Sequence, residues 1–91
     1  MLYIVNYSLN NATRNYQDFI ATLNNLGDDR LQIFDRAWLV YQREGNATLL
    51  ANNLRQQLDP IDRLFVVEIT QRDRNGWMNR NVWDWANAHN N

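Results

Sequence analysis

Leu2-Tyr3-Ile4-Val5-Asn6-Tyr7 begins the chain with β-branched and aromatic residues and predicts a first strand, which Asn10-Asn11 ends. The apolar spacing then lengthens. Tyr16, Phe19, Ile20, Leu23 and Leu26 share one helical face, with Asn15 as N-cap, Asp18 placing a carboxylate in the first turn, and Gly27 as the stop. Asp28-Asp29 leads into a hairpin. In it, Leu31-Gln32-Ile33-Phe34 is strand two, Asp35-Arg36 the turn, and Ala37-Trp38-Leu39-Val40-Tyr41 strand three. Gly45-Asn46 breaks that pattern, and Ala47, Leu50, Ala51, Leu54 and Leu58 form a second helical stripe capped by Asn46. Asp59-Pro60 ends it, because the residue before a proline avoids the helical region. Leu64-Phe65-Val66-Val67-Glu68-Ile69 is strand four.

The order β-α-β-β-α-β predicts an α+β, ferredoxin-like domain: a four-stranded antiparallel sheet in the order 4-1-3-2 with both helices on one face. The chain reads as a single domain with a core over 1–70 and a C-terminal extension over 71–91. In that extension the polar stretch Gln71 to Met78 precedes a short helix from about Asn79 to His89. Two helices shield one face of the sheet. Yet Tyr3 and Val5 alternate with Ile4, Leu39 with Trp38 and Val40, and Phe65 and Val67 with Leu64 and Val66, so both faces are apolar. A wet second face would show polar alternation. Something therefore covers it: the terminal segment, a second copy of the chain, or both. A homodimer is expected, with Ile4, Asn6, Trp38, Val66 and Trp83 on the shared face.

A chain of 91 residues with 45% hydrophobic content suits one core and leaves little stability margin. It has no cysteine, which excludes disulfides, thiolate metal sites and thiol nucleophiles. No long apolar run is present, and the N-terminus has neither a charged n-region nor a cleavage site, so a cytoplasmic protein with no membrane partner is expected. Asn11-Ala12-Thr13 and Asn46-Ala47-Thr48 match the glycosylation pattern but are expected to act as caps and turns. The net charge of −1 argues against strong, sequence-independent phosphate binding over the whole surface. All nine basic residues are arginine, the better side chain for bidentate phosphate contacts and for stacking on rings.

Several segments resemble small proteins known as SinR-like. They are Tyr3-Ile4-Val5-Asn6-Tyr7, Ala37-Trp38-Leu39-Val40, the run from Asp59 to Thr70, Gly76-Trp77-Met78 and Trp83-Asp84-Trp85. That group is similar to the CRISPR-associated Cas-two proteins and, more distantly, to VapD-like toxins. The resemblance implies a ferredoxin-like fold that dimerises through its open sheet face. In Cas-two-like nucleases an aspartate after the tyrosine at the end of strand one holds a divalent metal across the dimer. The matching position here is Ser8, a poor ligand for a hard dication, and Asn6 offers only a neutral carbonyl. Metal-assisted hydrolysis at this position therefore looks lost, and neither a metal nor a small-molecule cofactor is expected.

Arg72, Arg74, Trp77 and Arg80 form a short basic stretch around a tryptophan. It reads either as a single-strand nucleic-acid surface or as a packed Trp77 with solvated arginines. His89, the only histidine, has no serine or carboxylate at triad spacing and receives no catalytic role. Asp28 and Asp29 read as turn formers, and Asp62 and Arg63 as a pair or a solvated start to strand four. The expectation is a Cas-two-like homodimer without catalytic residues that binds nucleic acid or another macromolecule. One alternative is a metal-dependent endoribonuclease in which Glu68 or Asp35 replaces the missing carboxylate. The other is a protein-binding module of a toxin–antitoxin or phage system.

Overall fold

The computed structural model describes all 91 residues. Seven elements follow one another: β1 (Leu2–Ser8), α1 (Gln17–Leu23), β2 (Asp29–Phe34), β3 (Ala37–Tyr41), α2 (Ala47–Arg55), β4 (Arg63–Glu68) and α3 (Arg80–Ala88). The four strands form one sheet in the order β2-β3-β1-β4, antiparallel throughout, which leaves β2 and β4 as edges. This α+β architecture matches the expected class and strand order. The local chemistry explains most boundaries. Asn46 caps α2 by accepting from the Leu49 N–H at 2.9 Å, and Asn11 accepts from both the N–H and the hydroxyl of Thr13. Both glycosylation-like triplets are thus a cap and a turn.

Helix α1 departs from expectation. It ends at Leu23 rather than running to Gly27, and Asn24 and Asn25 turn their side chains back onto the carbonyls of Ile20 and Ala21. Such side chain–backbone bonds compete with helix propagation. Leu26 nevertheless stays buried, because the chain then folds against the sheet, with the Asp28 N–H donating to the Tyr41 carbonyl at 2.8 Å.

Register decides which side chains share a face. Val5 lies between Trp38 and Val66, whereas Ile4 lies between Leu39 and Val67. Opposite residues in antiparallel strands point the same way, so Tyr3, Val5, Tyr7, Trp38, Val40, Leu64 and Val66 all face α1 and α2. There they form the main core with Phe19, Leu23, Leu26, Leu50 and Leu54. The Trp38 indole N–H donates to the buried Tyr7 hydroxyl at 3.3 Å, and that hydroxyl donates to the Asp35 carbonyl, so no polar atom is stranded. Trp38 and Val66, expected on the dimer face with Ile4, therefore lie under the helices. The sequence fixes alternation but does not say which parity turns inward.

The second face has its own smaller core. Val82 and Ala86 of α3 seat on Leu2 and Leu39, with Ile4, Leu31, Ile33, Ile69, Met78 and Trp85 around them. The terminal segment is thus one cover of the second apolar face. It does not reach everything: Phe65 is 67% and Phe34 58% exposed, and neither belongs to either core. No helix is long and apolar enough to cross a membrane.

Candidate macromolecule-binding face

The segment from Arg74 to Met78 crosses the second face beside α3. Between them and the sheet lies an apolar groove of about 360 Å³, with Ile4, Ile33, Leu39 and Val82 in its walls. Trp77 and Phe34 stand at its rim, and Trp77 is fully exposed. Arg74 is the only charged residue lining the groove. One of its terminal nitrogens, Nη1, donates to the Ile69 carbonyl at 3.1 Å and the Arg72 carbonyl at 3.4 Å. The guanidinium is thereby fixed by the backbone it leaves, and the remaining N–H groups of its fork are open to an anion. Trp83 is half-buried in the same wall.

The four residues of the basic stretch do not converge. Arg74 and Trp77 share the groove. Arg72 sits in a separate polar hollow with Glu68, Thr70 and Gln71, and Arg80, at the start of α3, pairs with Asp84 one turn along at 3.8 Å. Of the residues expected on a shared face, Ile4 and Trp83 line the groove. Asn6 is half-buried in the register row of Ala37 and Phe65.

Ser8 is half-buried at the end of β1, with its hydroxyl accepting from the Asn10 side-chain amide at 3.1 Å. Glu68 pairs in register with Tyr3, five residues back along β1, which puts it about 17 Å from Ser8 within one protomer. Asp35 is exposed in the β2–β3 turn. No three His, Cys, Asp or Glu side chains come close enough to hold a metal ion together.

The most heavily bonded carboxylate is one that sequence reasoning misassigned. Asp62 is buried and accepts from the Asn10 N–H at 2.7 Å, the Tyr16 hydroxyl at 2.8 Å and the Asp59 N–H at 2.8 Å. It neither pairs with Arg63 nor faces solvent; Arg63 donates to its backbone carbonyl instead. Arg14 adds a bond to the Gln57 carbonyl and an ion pair with Asp59 at 3.6 Å. This network ties the β1–α1 loop to the α2–β4 loop. Burial pushes the Asp62 carboxyl up, but the Asn10 and Asp59 N–H groups, the Tyr16 hydroxyl and Arg14 outweigh it and hold it below the ordinary value. Tyr16 is raised, by burial first and then by its bond to Asp62. A carboxyl depressed by folding stabilises the fold above its unfolded value of about 3.9 and loses that contribution as pH falls through the folded value. The urea midpoint should therefore drop between pH 6 and pH 3, and Asp62→Asn should lower it at pH 6 and flatten the dependence. An unchanged pH slope in the variant would contradict this.

Asp28 is lowered by the Arg43 N–H first and the Arg43 guanidinium next, and Asp29 reaches His89 at 2.9 Å. The adjacent turn aspartates are therefore tethers rather than free solvated groups. Comparison with protein-family models and with curated proteins gives no match for this chain.

Proposed function

We propose that this domain binds single-stranded nucleic acid without cutting it, taking an unpaired base on the Trp77–Phe34 rim and its phosphate on Arg74. One observation carries the reading. The single fully exposed tryptophan stands beside an exposed phenylalanine on an apolar groove whose one charged group is an immobilised arginine. Leaving large apolar surface in water is unfavourable, so two exposed aromatic side chains on one groove point to a partner. Rings accept any base face, and an arginine fork suits phosphate. The net charge of −1 and the separation of Arg72 and Arg80 from the groove fit a small electrostatic footprint. The reading includes no hydrolytic step: Glu68 lies about 17 Å along β1 from Ser8, and neither a pair of carboxylates nor a histidine lines the groove. In this reading the domain is a Cas-two-like protein that has kept the sheet and not the metal chemistry.

Retardation of labelled single-stranded RNA and DNA at low salt tests the proposal. Trp77→Ala should weaken binding about tenfold or more, the worth of one stacked base, without changing stability, because the side chain packs against little. Arg74→Gln should lower the salt slope by about one. If the wild-type protein retards neither nucleic acid at low salt, the reading fails.

Phe65 favours a homodimer as a second element of the same reading. It projects from edge strand β4 beside Val67, and neither residue belongs to a core of the protomer. Phe65→Asp should convert a dimer to monomers by light scattering. An unaltered mass would remove β4 from the interface.

A further inference from the structure

His89 closes the C-terminal end of α3 onto the sheet. Its Nδ1 lies 2.7 Å from the Trp85 carbonyl oxygen and its Nε2 2.9 Å from Asp29 Oδ2 at the start of β2. The ring stacks on Trp85, with centroids 4.1 Å apart, and meets the edge of Tyr41 of β3 at 5.1 Å. It is mostly buried, with 22% of the side chain exposed. A backbone carbonyl only accepts hydrogen bonds, and so does an ionised carboxylate. Both contacts are satisfied together only when both ring nitrogens carry hydrogen, that is, by the imidazolium. The neutral ring keeps one hydrogen and turns a lone pair toward one of the two oxygens.

We infer that protonation of His89 latches α3 onto the second face of the sheet, and that loss of the proton loosens the helix and uncovers the apolar surface it protects. The groups facing the ring are Asp29 from β2, the Tyr41 phenol ring from β3, and Trp85 from its own helix. The nearby basic side chains are engaged elsewhere: Arg30 with the Leu26 and Gly27 carbonyls, and Arg43 with Asp28. Beyond the latch, the only other hydrogen bonds tying this end of the chain to the sheet side are those of Asn90 with Gln71, which do not titrate. Leu2 and Leu39 lie directly under the latched helix, and Ile4 and Leu39 also line the groove, so loosening α3 enlarges the same apolar face. Imidazole in general changes charge between pH 5 and 8, so pH is the variable that tests the device. The sign is fixed by the partners. The charged form fits the docked helix, so docking strengthens as pH falls and weakens as pH rises.

Hydrogen exchange corrected for intrinsic rate, read separately over 80–88 and over β1 at pH 5.5 and pH 8, tests the latch. Protection of α3 should fall about fivefold at pH 8, the worth of one partly exposed ion pair, while β1 stays constant. His89→Gln and Asp29→Asn should each give α3 the low protection at both pH values. Nitrogen shifts of the ring at pH 5.5 should show both nitrogens protonated. Protection of α3 that does not vary with pH in the wild type, or that varies equally in His89→Gln, overturns the inference. None of these readouts involves nucleic acid, so the latch and the proposed binding function stand or fall separately.

Discussion

Phe19→Ala is expected to cost about 3–5 kcal/mol of folding stability, against a total of about 5–14 kcal/mol for a domain of this size. Phe19 is fully buried, and its ring meets the Tyr7 ring edge-on at 4.9 Å between α1 and β1. Truncation removes the transfer free energy of the ring and leaves a hole that the surroundings cannot close. Leu23, Leu50 and Leu54 are held by two helices, and Tyr7 is pinned by its bonds to Trp38 and Asp35. Urea unfolding by tryptophan fluorescence measures the loss, and a value under about 1.5 kcal/mol would mean the site collapses. Because Trp38 lies in the same core, its emission should shift as well.

Gly27→Ala is expected to cost about 2–4 kcal/mol, combining left-handed backbone strain with overpacking. Gly27 has a φ of +65°, and a Cβ there would stand 2.6 Å from Val40 Cγ1 and 2.7 Å from the Tyr41 carbonyl oxygen. Val40 is fully buried, and the Tyr41 oxygen already accepts from Asp28, so neither neighbour can retreat. Gly76→Ala is the control. Nothing lies within 4 Å of its position, and it should be close to neutral in the same unfolding measurement. Equal effects at the two glycines would contradict the packing explanation. Since Gly27 leads directly into Asp28 and Asp29, its variant should also loosen the Arg43 and His89 tethers that those residues hold.

Much of the fold was legible in the chain because the relevant interactions are local. Asn46 caps α2 through a bond three residues away, Asp59-Pro60 ends the helical stripe, and the Asp35-Arg36 turn follows from two apolar runs meeting at polar residues. The candidate face was legible in part. Trp77 and Arg74 stand out in the sequence as an aromatic and a base in one short stretch, and they share the groove. Phe34 does not stand out there, because it lies more than forty residues away and is carried to the same groove by the β2–β3 hairpin. Trp38 and Val66 pack under the helices and not on the open face expected from the sequence, since both parities of their strands are apolar and nothing local distinguishes them. Asp62 looked like a solvated neighbour of Arg63, whereas its three donors come from Asn10, Tyr16 and Asp59.

The chain by itself determined the elements, their order and the need for a cover on both faces of the sheet. Those properties follow from side-chain period, capping and turn chemistry, which act over a few residues. Only the tertiary structure decided which parity faces α1 and α2, that α3 covers part of the other side, and that His89 meets Asp29 across sixty residues of sequence. Such pairings depend on strand register and helix docking. Those are set by the packing of the whole core, and no single segment contains the information.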